Sequence, residues 1–312
     1  MYDDSGVRST NLLKTSSTTN QEQFWTTTTF KMHIRPMLAE DIPACATVFS
    51  AAFEADELWN WLAPDHQQHP LSWREQSIRQ QRVNFYHPHA WSIVCVADTD
   101  DAFAPAGEIV GCLRWLRHTA REDAAAAADL WERPMTAWER LEGWLAWAEM
   151  QWDTTSRVNR SVLWDRSDTF RKSIAKSTTF DPLAKTTHWH LSNLAVVPQY
   201  QRRGIATALV QWGLDHAASE TADRKREGKV PVPVTLVASI AGLPLYARLG
   251  FKVVGWEDDS FLDFSTDGGA SMVWDSSGYW LKDVAHEPPM KRGVVDAVFP
   301  TSAKKELSDL QT

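Results

Sequence analysis

The sequence predicts an α/β fold, because segments with the character of buried strands alternate with segments of helical periodicity. In residues 188–220 an apolar strand ends before Pro198 and is followed by a glycine-containing loop and a helical pattern. A second strand–helix unit follows in residues 232–251. Together with alternating segments nearer the N-terminus, these units predict a mixed central sheet of about six to seven strands flanked by helices.

The composition sets broad limits on the class of protein. A chain of 312 residues is long enough to bury a large core, and its formal net charge of −8 disfavours a general nucleic-acid binder. No apolar run reaches the length of about 18 residues that would span a membrane. The three cysteines form no Cys-x-x-Cys pair, which favours a reducing compartment such as the cytoplasm, or alternatively the nucleus. Nothing in the sequence indicates the oligomeric state.

The chain is predicted to consist of three parts. Residues 1–30 are rich in Ser and Thr and are expected to form a disordered tail. Residues 31–276 are expected to form one domain, which carries an insertion at about residues 119–187. Residues 277–312 contain prolines and a charged end, and they are expected to form a C-terminal tail.

The first half of the domain is predicted to supply an opening strand, a helix and a pair of strands. Residues 32–36 have the pattern of a short strand, and Glu40 and Pro43 mark the start of the helix that follows. Residues 89–97 and 107–117 alternate between apolar and polar positions on either side of a turn, which predicts an antiparallel pair.

The joint between the strand and the helix of residues 188–220 has the features of an anion site. Its sequence is Gln201-Arg202-Arg203-Gly204-Ile205-Ala206. The first turn of a helix has unpaired N–H groups and a partial positive charge, and Gly204 lets a ligand approach the main chain. Arg202 and Arg203 add positive charge, so the joint favours a pyrophosphate. The alternative is an ordinary strand–helix joint that binds nothing.

Two segments resemble the GNAT superfamily of N-acetyltransferases. Residues 201–206 match its Gln/Arg-x-x-Gly-x-Gly/Ala signature, and residues 194–196 resemble its fourth strand. Residues 232–238 resemble its fifth strand, and residues 242–251 resemble the following helix with its Leu-Tyr-x-x-Leu-Gly-Phe ending. The resemblance covers about residues 32–275 and implies the GNAT fold for an N-acetyltransferase domain.

This resemblance implies that acetyl-CoA is the co-substrate. The loop would hold its pyrophosphate through backbone N–H groups, and the edge of the fourth strand would pair with the pantetheine arm. The N–H group of Leu194 or Val196 would face the acetyl oxygen. Ser239 replaces an asparagine that is common in the family, and its hydrogen-bonding side chain is shorter. The residues implied to bind acetyl-CoA are Leu194, Ala195, Val196, Gln201, Arg202, Arg203, Gly204, Ile205, Ala206, Thr207 and Ser239.

The resemblance also implies the catalytic residues. Tyr246 matches the tyrosine that acts as general acid in many family members, and the alternative is a core tyrosine. His190 stands on the fourth strand, where an unperturbed pKa of about 6.5 would suit a general base; the alternative is a buried structural histidine. Ser192 would relay a proton through water. Because no cysteine lies on the motif strands, direct transfer in a ternary complex is expected.

The acceptor is expected to be a small-molecule or peptide amine, with no nucleic acid or membrane as a partner. Small amines, peptide N-termini, protein lysines and aminoglycosides all remain open. The net negative charge and the acidic Glu54 and Asp56 favour a cationic small molecule.

Two rival classes of protein are also open. One is a non-catalytic GNAT-fold module that binds coenzyme A. The other is a metal-dependent enzyme that uses the His-x-His pairs of residues 87–89 and 188–190. No third ligand stands at a spacing that would complete such a metal site, so no metal is expected.

The insertion is predicted to contain a tryptophan-rich helix. In residues 134–152 one helical face is shared by Trp138, Leu141, Leu145, Ala148 and Trp152, with Trp131, Trp144 and Trp147 nearby. Such a face predicts a helix packed into the core, and the alternative is that these rings wall an acceptor groove. Residues 153–187 are polar and are expected to be irregular.

Overall fold

The structure is a computed structural model that describes most of the predicted domain. The described residues are 31–120, 135–176, 180, 183, 185–257 and 269–282. The predictions for residues 1–30, for Trp131 and for residues 283–312 lie outside them. Within the described ranges, no helix combines the length and the apolar composition that crossing a membrane requires.

The described residues form one mixed sheet of seven strands, which confirms the predicted fold class. The strands are β1 (Met32–Pro36), β2 (Ala90–Ala97), β3 (Ile109–His118), β4 (His188–Val196), β5 (Val234–Ala238), β6 (Lys252–Trp256) and β7 (Ala270–Trp274). Their order across the sheet is β1-β2-β3-β4-β5-β7-β6. Only the β4–β5 pair is parallel, and its two strands belong to the two strand–helix units that the sequence predicted.

Helices cover both faces of this sheet. They are α1 (Ile42–Ala52), α2 (Glu57–Leu62), α3 (Pro70–Phe85), α4 (Ala137–Ser156), α5 (Trp164–Lys176), α6 (Ile205–Arg226) and α7 (Leu243–Arg248). Cys112 of β3 contacts Cys45 of α1, whereas Gly111, the preceding residue, lies under Ile205 of α6. Because successive residues of a strand point to opposite faces, α1 and α6 lie on opposite sides of the sheet.

Glycines let α6 approach the sheet closely. A Cβ atom on Gly213 would stand 2.1 Å from the Trp115 ring of β3, and a Cβ atom on Gly111 would stand 2.9 Å from Ile205. Trp115 is fully buried. Its ring fills the space beside α6 where Gly213 has no side chain. Any larger residue at position 213 would push α6 away from β3.

A buried ion pair fastens α6 to the sheet. The Arg117 guanidinium of β3 donates two hydrogen bonds to the Glu220 carboxylate of α6, at 2.5 and 3.3 Å, and both residues are buried. The Trp189 indole of β4 donates to the same carboxylate at 2.9 Å. The carboxylate is therefore the common partner of two neighbouring strands and the long helix.

The insertion between β3 and β4 is helical, as predicted, but the expected core face of α4 is exposed. Trp138 is 66% exposed and Trp152 is 69% exposed, and Trp144 and Trp147 are exposed as well. The prediction that this face packs into the core is therefore wrong. The helix itself begins as the sequence suggests, because Thr136 caps it in a reciprocal pair of hydrogen bonds with Glu139.

The opposite face of α4 packs on α3, which explains the error. Gly143 sits against Tyr86, where a Cβ atom would come within 3.1 Å of the Tyr86 backbone oxygen. Arg82 of α3 pairs with both Glu142 and Glu149 of α4. Small and charged residues, rather than tryptophans, thus make the contact. The expectation of irregular structure in residues 153–187 is also wrong in part, because α5 lies within it.

We expect Glu220→Ala to lower the free energy of unfolding by about 3–5 kcal/mol, because it leaves the Arg117 charge buried without its partner. Urea denaturation at neutral pH measures this change. The matched control is Asp223→Ala, one turn further along α6, where the carboxylate pairs with Arg226 at the exposed surface. That control is expected to change the free energy of unfolding by less than about 0.5 kcal/mol. Equal effects of the two substitutions would show that the buried ion pair contributes no more to the free energy of unfolding than the exposed one.

Candidate active site

Strands β4 and β5 are paired at one end and part at the other. The parallel register joins Trp189 to Val234, His190 to Thr235 and Leu191 to Leu236, and it ends there. β4 continues along β3 to its last residue, Val196, which stands opposite Gly111. Residues 192–196 of β4 therefore have one edge that β5 does not pair.

A bulge marks the point of parting. Leu191 stands opposite Trp115 of β3 and Asn193 stands opposite Arg114, so Ser192 is an extra residue on β4. A bulge bends its strand and increases the local twist. The bend thus coincides with the residue at which β4 leaves β5.

The predicted anion loop lies directly beyond this open edge. Gln201 donates from its amide to the Val196 carbonyl at 3.1 Å, which ties the loop to the end of β4. Arg202 and Gly204 both have positive φ, at 64° and 85°. Gly204 is the N-cap of α6 and offers no side chain to its first turn. The N–H groups of residues 205–207 are therefore left for a ligand.

Two arginines stand at this loop in different surroundings. Arg202 is exposed, and Arg203 is half-buried with its guanidinium 3.8 Å from the centre of the Phe103 ring. The Tyr200 ring lies on the same guanidinium at 6.0 Å. These rings hold the Arg203 charge beside the loop. Phe103 could not be predicted from the sequence as part of this site, because a single phenylalanine in a turn of acidic residues carries no recognisable signal.

His190 is half-buried at the paired end of β4 and β5. Its Nδ1 atom lies 2.9 Å from the Thr235 hydroxyl oxygen of β5. The His118 and Phe180 rings lie near its own ring, with centroids at 6.3 and 6.4 Å. Burial lowers the pKa of His190 to about 3, and the neighbouring His118, His188 and Arg114 add to this effect. The imidazole is therefore neutral at physiological pH.

Tyr246 lies on α7, the helix that follows β5. The side chain is 7% exposed, packs edge-on against Phe251 at 5.7 Å, and has its pKa raised by burial. It therefore keeps its proton. Ser239 is exposed between β5 and α7, and its hydroxyl accepts a hydrogen bond from the Gly242 N–H group at 3.3 Å.

The structure brings only some of the predicted residues into contact. Gln201 touches the end of β4, and His190 touches β5. In the described part of the chain, no hydrogen bond joins His190, Ser192 or Tyr246 to one another.

Other predicted features have structural partners of their own. The Asp56 carboxylate caps α2 by accepting from the Trp59 N–H group at 3.0 Å, so it has a structural role at the start of this helix. The His188 ring stacks on His118 at 4.6 Å. Among the described residues, no group of three or more His, Cys, Asp or Glu side chains is arranged to hold a metal ion.

Comparisons with known proteins agree with these features. Residues 169–253 match the family model described as an acetyltransferase (GNAT) domain, which confirms the resemblance to the GNAT superfamily over that stretch. An acetyltransferase of Stachybotrys chartarum is 40% identical over 60 residues, which are 19% of this chain and 22% of that protein. The match thus spans about a fifth of the length of the curated relative.

Solved structures with similar folds have low identity to this chain. One is a histone acetyltransferase HPA2 and related acetyltransferase from Corynebacterium glutamicum, with 18% identity, coverage of 78% of this chain and 94% of that one, and a TM-score of 0.42. Another is Arabidopsis thaliana NAA60 in complex with acetyl-CoA, with 14% identity, coverage of 80% and 100%, and a TM-score of 0.40. Likenesses at this level say nothing about the activity of this chain.

We expect the free energy of unfolding to decrease as the pH falls from 6.5 to 5. The native-state pKa of His190 is depressed, so in this range the unfolded chain binds a proton that the native chain does not. The full free energy of unfolding is therefore present above the pKa that His190 has in the unfolded chain. It decreases as the pH falls below that value. The contribution of His190 is about 1.5 kcal/mol over this range.

Denaturant titrations of wild type and His190→Gln at the two pH values test this expectation. The decrease should be smaller in the variant, while the carboxylates that both proteins share contribute equally. An identical decrease in both proteins would show that the pKa of His190 is not depressed.

Proposed function

We propose that this chain is an acetyl-CoA-dependent N-acetyltransferase that transfers the acetyl group directly to a primary amine in a ternary complex. The observation that carries the proposal is the open edge of β4 at residues 192–196, which leads into an uncapped helix N-terminus at Gly204. An extended arm with a pyrophosphate at one end fits this combination of an unpaired strand edge and an anion loop. The GNAT domain match over residues 169–253 supports it independently.

The proposed binding mode uses mainly backbone groups. The N–H groups of the loop and the first turn of α6 bind the pyrophosphate, with Arg202 and Arg203 balancing its charge. The pantetheine arm pairs with the open edge of β4, as an added strand would. The N–H group of Leu194 or Val196 donates to the acetyl oxygen and stabilises the oxyanion that forms there. Ser239, the exposed residue that follows the end of β5, is proposed as a further contact for the cofactor.

The proposed chemistry gives each side chain one task. Bound acetyl-CoA supplies a thioester, whose C–S bond breaks as the amine nitrogen forms the new C–N bond. Nε2 of His190 accepts the proton of the attacking amine, directly or through a water held by Ser192. Tyr246 gives its proton to the departing sulfur and recovers one from solvent. The products are an amide and the free thiol of coenzyme A.

The pKa of Tyr246 suits its proposed task, whereas the pKa of His190 suits its task less well. Burial keeps the Tyr246 phenol protonated, so a proton is present when the thiolate leaves. A histidine with a pKa of about 3 is a weak base, so it accepts the proton only after attack has made the amine nitrogen cationic and acidic. The same weakness favours the second candidate function, a non-catalytic GNAT-fold module that binds coenzyme A. Acetyl transfer to a panel of small-molecule and peptide amines separates the two candidates.

We expect Gly204→Glu to remove acetyl-CoA binding in calorimetric titration, because a carboxylate would enter the site of the pyrophosphate. The matched control is Gly228→Glu, at the other end of α6. Both glycines have positive φ, at 85° and 70°, and neither has an atom within 4 Å of an added Cβ. Both variants therefore place a glutamate at a left-handed backbone position, and only the first blocks the loop. Equal binding by both variants would place the pyrophosphate elsewhere.

We expect Tyr246→Phe to lower turnover by about 10²-fold while leaving the affinity for acetyl-CoA nearly unchanged, because the phenol acts on the leaving group. Steady-state kinetics together with calorimetry measure the two quantities separately. Tyr279→Phe, an exposed tyrosine outside the site, is the control and should match wild type. Unchanged turnover in Tyr246→Phe would make Tyr246 a packing residue only.

A further inference from the structure

We propose that Thr235 is a positioning residue that fixes the tautomer of His190, so that Nε2 keeps its lone pair and faces the reaction as an acceptor. The tautomer follows from the structure alone, and its part in catalysis rests on the proposed function. Thr235 is 1% exposed and stands beside His190 in the parallel register of β4 and β5.

The Thr235 hydroxyl oxygen has two polar neighbours. One is Nδ1 of His190 at 2.9 Å, and the other is the backbone carbonyl oxygen of Trp189 at 3.3 Å. A hydroxyl group has a single proton to donate, and a carbonyl oxygen can only accept. Both contacts are hydrogen bonds in only one arrangement, in which the hydroxyl donates to Trp189 and accepts from His190.

This arrangement puts the His190 proton on Nδ1. A neutral imidazole has one N–H group, so the other nitrogen, Nε2, is an acceptor. The reverse arrangement, with the hydroxyl donating to Nδ1, would leave two oxygen atoms facing each other 3.3 Å apart without a proton between them. In a site where Thr235 is fully buried, no water replaces the missing bond.

The surroundings of His190 keep the imidazole neutral, as this reasoning requires. Arg114 and His118 of β3 and His188 of β4 all oppose a positive charge on the ring, in addition to its burial. The Phe180 ring lies on another side. No carboxylate is among the groups that shift the pKa of His190. Thr235 is therefore the polar partner that decides which nitrogen carries the proton.

The test compares the wild type with four variants of the full chain, each labelled with 15N-histidine, by nuclear magnetic resonance. Thr235→Val keeps the shape and removes the hydroxyl, and Thr235→Ser keeps the hydroxyl. Thr221→Val is the matched control, because Thr221 is another buried threonine whose hydroxyl bonds the Val232 backbone, away from His190. His190→Gln identifies the His190 signals.

The wild type, Thr235→Ser and Thr221→Val are expected to show His190 protonated at Nδ1. Thr235→Val is expected to lose this preference. Its kcat should fall by about tenfold or more while its KM for acetyl-CoA stays unchanged. This loss is part of the ~10²–10⁴-fold in rate that a positioned acid–base group contributes. A wild-type His190 protonated at Nε2 would overturn the proposal, even if Thr235→Val failed to fold. An unchanged tautomer in folded Thr235→Val would overturn it as well.

The outcome also separates this proposal from the proposed function. If the wild type binds acetyl-CoA but acetylates no amine, while its His190 is protonated at Nδ1, the tautomer stands and the positioning role in catalysis falls. If the wild type is active and Thr235→Val loses the tautomer without any loss of kcat, the proposed function stands and the positioning role again falls. Only the combined loss, with recovery in Thr235→Ser, supports the proposal.

Discussion

The pairing of β4 is the constraint on which the rest of the structure depends. Backbone N–H and C=O groups need partners when they leave water, and a strand in the middle of a sheet normally finds them on both sides. Apart from the bulged Ser192, β4 finds them along β3 from His188 to Val196 but along β5 only for residues 189–191. The two strands part at the bulge of Ser192, beyond which β5 keeps its pairing with β7 on its other edge but has no partner residues on β4. The edge of residues 192–196 is thus left for a ligand.

The second requirement is that α6 stays in place beside this edge. The carboxylate of Glu220 accepts hydrogen bonds from Arg117 of β3 and Trp189 of β4. The Trp115 ring packs directly against Gly213, which has no side chain. These contacts lie on the buried face of the helix, at its middle and in its C-terminal half. The N-terminus is therefore free of side-chain caps while its position relative to β4 is fixed, which is the combination that a preformed anion site requires.

Local signals in the sequence account for what could be predicted. Patterns of neighbouring residues predicted three features that the structure contains. They are the strand before Pro198, the loop around Gly204 and the strand–helix unit that ends at residue 251. The exposed tryptophans of α4 could not be predicted, because the choice of the face that packs is made by Tyr86 and Arg82 of a distant helix. The low pKa of His190 and its bond to Thr235 likewise depend on a partner 45 residues away.

The central claim, that the open edge of β4 and the N-terminus of α6 together bind one acetyl-CoA molecule, is tested most directly by hydrogen exchange of backbone amides. Exchange at each amide reports the hydrogen bonding of that group. The account predicts that acetyl-CoA slows exchange in residues 192–196 and in residues 202–207 together. Protection of neither segment, in a protein that calorimetry shows to bind acetyl-CoA, would contradict it.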